Sequence, residues 1–236
     1  MKLYRPLKSN YLTQGFSDNL ACVKTGESGK AIFPYQVLSG VYPNSCPVNS
    51  TKLYPLLGLK SHGGYDLACW FKEPIYHSGE FEGWMKTEID NAGGIGVDII
   101  SNEKFDCTEG CLEGVKHNIK LRYWHLAEVV GFDKKPIKMG DLIGLGDSTG
   151  LSSGNHLHWS LKWCDESGSA IHNNNGWFGA FDQTPFYEDV FVLDVLEVKQ
   201  QALTAIELAR RVIFEIVKWL SGLREKVGTI FDKIQK

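Results

Sequence analysis

The sequence lacks a long apolar run, an excess of basic charge and any internal repeat or low-complexity tract. Without about 18 consecutive apolar residues, we expect no helix that spans a membrane. The 25 basic and 28 acidic side chains leave a formal net charge of −3, which argues against a nucleic-acid-binding protein because phosphate binding needs a basic surface. Residues 1–16 lack the apolar core of a secretory signal peptide, so we expect none.

Six cysteines permit three disulfides, and neither their pairing nor the redox compartment follows from the sequence. Cys107 and Cys111 have the spacing of a loose metal-binding knuckle. No second close pair completes a tetrahedral site, however, so a disulfide or free thiols is the simpler interpretation. Cys22 and Cys46 flank a stretch rich in Gly and Pro that a disulfide between them would close. The full set is Cys22, Cys46, Cys69, Cys107, Cys111 and Cys164.

Residues 1–190 and 191–236 differ in composition, and we expect a domain boundary between them. The first part is dense in Gly, Asn, Ser and Pro, and is broken into short apolar runs such as Val97–Ile100, Ile119–Tyr123 and Leu157–Trp163. Strand-length apolar runs bounded by turn residues are typical of an all-β sandwich or barrel. The length of 236 residues suits one domain plus an appendage, or two small domains.

The second part predicts an amphipathic helix, because apolar residues recur over 206–234 at alternating spacings of three and four. These residues are Ile206, Ala209, Ile213, Ile216, Leu220, Leu223, Val227, Ile230 and Ile234. Four heptads of this kind form a seam for a partner helix. Basic side chains outnumber acidic ones from Arg210 onward, which also suits a membrane surface. Self-association is favoured first, docking on the chain's own domain second and membrane-surface contact third.

Three histidine motifs carry residue types that bind metals. His62 and Asp66 stand four apart, so their side chains lie on one face of a strand or a helix. His156 and His158 share a face in a strand, and His125 lies near the end of an aromatic-rich run. Taken singly, the first motif indicates a surface turn, the His156 and His158 motif a solvent-facing pair, and His125 a packed histidine. Together they can supply three ligands for a catalytic zinc, with spare imidazoles for proton transfer.

The motifs read H-G-G-Y-D at 62–66, W-H-L at 124–126 and G-D-S-T-G-L-S-S-G-N-H-L-H-W-S-L at 146–161. In order, spacing and context, this set resembles the M23, or lysostaphin-type, zinc endopeptidases of bacterial cell walls. The resemblance covers roughly residues 60–163, with a fainter match at 12–16.

The resemblance implies a role for each of five residues. His62, Asp66 and His158 would bind one Zn²⁺ per chain. His125 and His156 would be the unligated catalytic pair that polarises water and stabilises the oxyanion. All five positions are filled, which argues against a degenerate, non-cleaving member. The implied fold is mainly β, an antiparallel β barrel-sandwich (the duplicated hybrid motif), followed here by the C-terminal amphipathic α-helix.

The implied function is hydrolysis of peptide bonds in bacterial peptidoglycan, in the stem peptide or the cross-bridge, by zinc-activated water. Residues 1–190 would then be the peptidase, and 191–236 an oligomerisation or attachment helix that contacts a second copy or a partner protein. Since we expect no signal peptide, the setting would be a phage lysis enzyme (an endolysin) or a virion-associated enzyme that acts at the cell wall. The alternative is a non-catalytic or latent M23-like module that binds the wall or regulates other proteins.

Other features lie outside these motifs. Residues 17–61 and Ser101–Lys120 exceed the minimal domain, and the first segment could supply groove walls or a zinc-blocking residue, as in latent relatives. Tyr54 is a candidate to assist, although a loop aromatic is the simpler interpretation. Three further histidines have no partner at ligand spacing, and we expect ordinary surface or loop histidines at His77, His117 and His172. The scissile bond stays open, because loop shape rather than the ligand set would decide it.

Overall fold

The structure, a computed structural model, describes residues 1–17, 23–24, 31–32, 54, 57–107, 114–152 and 154–234. Side chains are described within these ranges except at 23–24, 31–32 and 223–234. The chain divides into two compact units, Met1–Val192 and Leu193–Lys236. None of the described helices combines the length and apolar character that crossing a membrane requires.

The described residues of the first unit form fifteen short and medium strands and one 3₁₀ turn, Thr184–Phe186. In chain order the strands are β1 Leu3–Arg5, β2 Leu12–Gln14, β3 Val23–Lys24, β4 Ala31–Ile32, β5 Tyr65–Ala68, β6 Pro74–Tyr76, β7 Gly83–Asp90, β8 Gly94–Ser101, β9 Phe105–Asp106, β10 Lys116–Val129, β11 Pro136–Ile137, β12 Leu142–Gly146, β13 His156–Cys164, β14 Ala180–Phe181 and β15 Tyr187–Phe191. The second unit is one helix, α1, over Val192–Ile234.

Eleven of the strands form one sheet, whose main path runs β11-β7-β8-β10-β13-β5-β2. All its pairings are antiparallel, and the 14-residue strand β10 lies at its centre between β8 and β13. The end of β10 also pairs with β12, which in turn pairs with β6. A mainly β fold with a C-terminal helix is therefore confirmed. Across the described residues the sheet does not close into a barrel.

The core lies on one face of this sheet. Because successive residues of a strand point to opposite faces, every second residue of β8, β10 and β13 points into it. These residues are wholly buried, and they are Val97, Ile99, Ile119, Leu121, Tyr123, Leu157, Trp159 and Leu161. Burying one side chain of this size stabilises the fold by about 1.5–3 kcal/mol, so the apolar face determines the register of the strands.

The opposite face carries polar side chains in cross-strand rows. Trp124 of β10 lies opposite His158 of β13, and His158 lies opposite Asp66 of β5. One row further along, Arg122 lies opposite Ser160. Since the core residues fix the register, residues far apart in sequence are held side by side on this face.

The helix α1 has 43 residues, about 64 Å at 1.5 Å per residue, and begins 14 positions before Ile206. Gly222 and Gly228 lie within it without interrupting it. Apolar side chains are exposed along its described part, namely Val198, Leu203, Ile206, Leu208, Val212, Ile213, Phe214, Ile216, Val217, Trp219 and Leu220.

The cysteines fall into two groups. Cys107 is disulfide-bonded, whereas Cys69 and Cys164 are free and buried. Burial raises the pKa of both free thiols to about 12, so neither is a reactive thiolate at neutral pH. The expectations for Cys22, Cys46 and Cys111 lie outside the described residues.

His77 lies in the loop that follows β6, as expected, but the expectation of a surface position is wrong, because its side chain is wholly buried. The Nε2 atom lies 3.1 Å from the carbonyl oxygen of Phe81, which can only accept, so Nε2 carries the hydrogen. Nδ1 then accepts from the hydroxyl of Tyr123 at 3.2 Å. Burial lowers the pKa of His77 to about 4. His117 and His172 are partly exposed.

Acid is expected to destabilise the protein through His77. The unfolded chain binds a proton at His77 as the pH falls through about 6.5, while the folded chain does so only near 4. Stability is therefore lost as the pH falls between these values, by up to roughly 3 kcal/mol. Urea denaturation at pH 7 and pH 4.5 measures this loss. We expect His77→Gln, which does not titrate, to lose clearly less, and an equal loss in both proteins would contradict the assignment.

Candidate metal centre

His62, Asp66 and His158 meet at one point on the polar face. Asp66 and His158 are direct partners across β5 and β13, and His62 comes from the segment just before β5. The Nε2 atom of His62 lies 3.0 Å from Oδ1 of Asp66 and 3.0 Å from Nδ1 of His158. Nδ1 of His158 lies 3.0 Å from the same carboxylate oxygen. The three atoms thus form a compact triangle.

This triangle fits a metal ion better than it fits hydrogen bonds alone. Tetrahedral zinc with bonds near 2.0–2.2 Å separates its ligand atoms by about 3.3 Å, close to the observed spacing. Nδ1 of His62 lies 2.9 Å from the carbonyl oxygen of Gly15, so in neutral His62 that nitrogen carries the hydrogen. The lone pair of Nε2 then faces a carboxylate oxygen of Asp66, an arrangement that a cation between the two atoms would stabilise.

The ionisation of the group also suits metal binding. Burial raises the pKa of Asp66, but electrostatic interactions with His62 and His156 and hydrogen bonds from His158 and His62 outweigh it and hold that pKa well below its usual range. Burial lowers the pKa of His158 to about 3, although Asp66 opposes the shift. At neutral pH the structure therefore presents an ionised carboxylate and a neutral imidazole, the forms in which these side chains bind metals.

His125 and His156 lie beside the triangle. Their ring centroids are 4.6 Å apart, and Nε2 of His156 is 3.6 Å from Oδ2 of Asp66. Nδ1 of His125 donates to the carbonyl of Thr149 at 2.6 Å, and Nδ1 of His156 to that of Gly154 at 2.8 Å. In the neutral form of each imidazole, Nε2 therefore carries a lone pair. Burial and repulsion from His156 lower the pKa of His125, which keeps it neutral at pH 7.

The backbone at His125 is strained, since its φ of +65° is left-handed. It coincides with a shift in register between Tyr123 and Leu126 where β10 pairs with β8. Irregularities of this kind re-aim a side chain and are often found at active sites. Here the shift departs from the regular alternation of β10 and sets His125 next to His156.

All five residues identified from the sequence are thus brought together, while their individual roles stay predictions. Tyr54 is buried, with its ring centroid 6.1 Å from that of His62. Within 18–53, only residues 23–24 and 31–32 are described. The expectation of a zinc-blocking residue in this segment therefore lies outside the described residues.

Sequence reasoning missed several residues that support the site. Gly64 is required because a Cβ there would lie 2.7 Å from the carbonyl oxygen of Trp159 and 3.0 Å from Cε1 of His158. The second glycine of H-G-G-Y-D was the available signal for this close approach. Trp177 also stands nearby, where its Nε1 donates to the hydroxyl of Ser61 at 2.8 Å and its ring packs 5.3 Å from that of Phe16. No spacing rule pointed to Trp177.

Comparison with known proteins returns the same class that the motifs resemble. No protein-family profile matches the chain. A 69-residue stretch, 28% of the chain, is 36% identical to a protein described as an uncharacterised metalloprotease from Buchnera aphidicola subsp. Baizongia pistaciae, and it spans only 18% of that relative.

Among solved structures, the chain is similar to a zinc-containing peptidase from Vibrio cholerae, with 20% identity, a TM-score of 0.42 and coverage of 69% of this chain and 37% of that one. It is also similar to the catalytic domain of lysostaphin from Staphylococcus simulans, with 25% identity, a TM-score of 0.40 and coverage of 54% and 79%. Further similar structures are described as M23 proteins. The argument for function therefore rests on the residues of the site.

Proposed function

We propose that this chain is a zinc-dependent endopeptidase that cleaves peptide bonds of bacterial peptidoglycan. The observation that carries the proposal is the convergence of His62, Asp66 and His158, with His125 and His156 beside them. Zinc bound there would act as a Lewis acid and lower the pKa of its water to about 7. Three protein ligands leave the fourth tetrahedral position for that water, as in catalytic rather than structural sites.

The two remaining histidines have the geometry of proton-transfer groups. The carbonyls of Thr149 and Gly154 hold the hydrogen of His125 and His156 on Nδ1, so Nε2 of each is a base. Once protonated, the same nitrogen can donate a hydrogen bond to the oxyanion that develops at the substrate carbonyl. Because both rings are anchored, neither has to reorient during the reaction.

The choice of peptidoglycan as substrate is supported by the motif resemblance. The proposal extends to action at the cell wall, in a phage lysis or virion-associated setting. A non-catalytic or latent module that binds the wall is the competing function, and it predicts metal or wall binding without turnover.

The test is to measure zinc content and release of new amino groups from purified peptidoglycan in parallel. We expect one zinc per chain in wild type, His156→Ala and the remote control His117→Ala. Cleavage should persist in wild type and His117→Ala and fall at least about 100-fold in His156→Ala, since general acid–base catalysis contributes 10²–10⁴-fold. Zinc without cleavage of any wall type would favour the latent module, and absence of zinc would refute the ligand set.

We further propose that α1 pairs with a second copy of the chain along the seam of 206–234. The regular apolar seam supports this, because a helix without a partner would gain nothing from a heptad pattern. In a parallel pair of helices, the residues on either side of the seam of one helix would face those of the other, and no such pair would bring two like charges together. The facing residues would be Ala205 with Arg210, Val212 with Val217, Trp219 with Arg224, and Lys226 with Phe231.

Breaking the seam is expected to dissociate the assembly. Ile213→Glu together with Leu220→Glu places charges in the apolar interface, so sedimentation should change from an oligomer to the 26.4 kDa monomer. The matched control Arg211→Glu with Lys218→Glu alters the outer face and should remain assembled. A monomeric wild type would refute self-association, and its binding to anionic vesicles would then favour the membrane-surface interpretation.

A further inference from the structure

A cluster of charged side chains lies one cross-strand row from the metal centre. Trp124 lies opposite the ligand His158, and Arg122 lies two residues before Trp124 on the same strand and face. Arg122 lies opposite Ser160 on β13 and opposite Asp98 on β8. Two residues along a strand correspond to about 7 Å, so this row is within reach of a peptide bound at the metal centre.

Two cations of the cluster, Arg122 and Lys120, share the one buried carboxylate of Asp98. Asp98 is wholly buried and accepts from Arg122 at 2.7 and 2.8 Å, while Nζ of Lys120 lies 3.1 Å from it. Lys162, also buried, lies opposite Lys120 in the register, and burial and the charge of Arg122 lower its pKa to about 7. On the neighbouring β7, Glu88 is paired with Lys86 at 2.7 Å, and Asp90 adds a negative charge that acts on Arg122 and Lys162. Because Arg122 and Lys120 share one carboxylate, an anion bound beside Arg122 would add a favourable charge interaction.

Part of the hydrogen-bonding capacity of this row is unused. Arg122 directs Nε and Nη2 at Asp98, and its guanidinium lies 4.1 Å from the ring centroid of Trp124. Arginine has five N–H donors, and those on Nη1 take no part in these contacts with Asp98. The side chain of Arg122 is 13% exposed. Directly opposite, the hydroxyl of Ser160 is buried and has no hydrogen-bond partner among the described residues. Buried polar atoms normally have a partner, so this hydroxyl is a second sign of a missing ligand.

We propose that Arg122, Trp124 and Ser160 form a subsite that binds a carboxylate of the substrate about two residues from the scissile bond. The inference rests on the proposed peptidase function and deepens it by naming a substrate class, peptides with a free carboxylate at that distance. Arg122 provides the charge and the donors, and Ser160 provides a further donor. The ring of Trp124 holds the guanidinium flat and separates it from His158. An extended peptide advances about 3.3 Å per residue, which sets the two-residue distance.

The test compares matched peptides that differ only in a free carboxylate or a carboxamide at this position. We expect wild type to prefer the carboxylate by about 10-fold or more in kcat/KM, the range of a charge-assisted hydrogen bond. Arg122→Gln should reduce the preference to about one while retaining cleavage of the amide. Because Arg122→Gln leaves Asp98 with fewer partners, the charge-balanced pair Arg122→Gln with Asp98→Asn repeats the measurement. Lys104→Gln, at an exposed lysine paired with Glu166, is the remote control and should keep the preference.

The outcomes separate this inference from the proposed function. Cleavage of both peptides at equal rates by wild type, or a preference that survives in both Arg122 variants, would overturn the subsite. If neither peptide is cleaved, the peptidase function fails, and calorimetric binding of the two peptides then decides the subsite alone. Tighter binding of the carboxylate that is lost with Arg122→Gln would support it, and equal binding would refute it.

Discussion

Asp66→Ala is expected to remove the stabilisation that zinc confers on the wild-type protein. A ligand that binds only the folded state at 1,000 times its dissociation constant stabilises it by about 4 kcal/mol. Without the carboxylate, two imidazoles remain, and their negative partner is gone. We therefore expect thermal unfolding of Asp66→Ala to be unaffected by zinc, with cleavage lower by roughly 10³-fold because several kcal/mol of charge stabilisation are lost.

The matched control for this measurement is Asp106→Ala, which removes an exposed carboxylate on β9 that pairs with Lys116 at 3.4 Å. It should retain the whole zinc-dependent shift. A second ligand variant, His158→Ala, should behave like Asp66→Ala. Retention of the zinc-dependent shift in both ligand variants would show that the metal binds elsewhere.

Asp98→Ala is expected to cost about 3–5 kcal/mol of folding stability, the range for removing one partner of a buried ion pair. Burial raises the pKa of Asp98, but Arg122 and Lys120 lower it to about 2, so the carboxylate is ionised and paired throughout the neutral range. Its loss leaves two buried cations facing each other beside the metal centre. Urea denaturation with and without zinc measures the loss.

A contrast with an exposed pair makes this prediction specific. Glu166 pairs with Lys104 at 2.7 Å in full contact with water, and Glu166→Ala should leave the stability nearly unchanged. Equal midpoints for Asp98→Ala and wild type would mean that the buried cluster contributes no net stability. A larger loss in Glu166→Ala than in Asp98→Ala would contradict the role of burial.

The spacing of residues in the sequence was sufficient to predict those features that depend only on residues close together in the chain. The alternation of His156, Leu157 and His158 predicts a strand with both imidazoles on one face, and β13 has that arrangement. The three-and-four spacing from Ile206 predicts a helix, although α1 begins at Val192. Continued back from Ile206, the same spacing falls on Ala202, Lys199, Val195 and Val192, so Lys199 is the one polar residue on the seam in this first part of the helix.

Other features depend on which strands pair and could not be predicted locally. Arg122 and Asp98 are 24 positions apart, and only the register of β10 against β8 makes them partners. His77 has no motif around it, and its burial results from packing against Phe81 and Tyr123. The left-handed backbone at His125 is likewise a consequence of the register shift in β10 rather than of any residue preference.

The sequence by itself determined the residue types of the candidate site, its resemblance to M23 peptidases, the strand-rich character of the first unit and the helix of the second. These follow from short-range spacing, because periods of two and of 3.6 are set by the backbone. Only the tertiary structure decided that His62, Asp66 and His158 converge within 3.0 Å and that the row of Arg122, Asp98 and Ser160 lies beside them. The physical reason is that burial of the core face fixes strand order and register, and register alone sets residues of distant strands side by side.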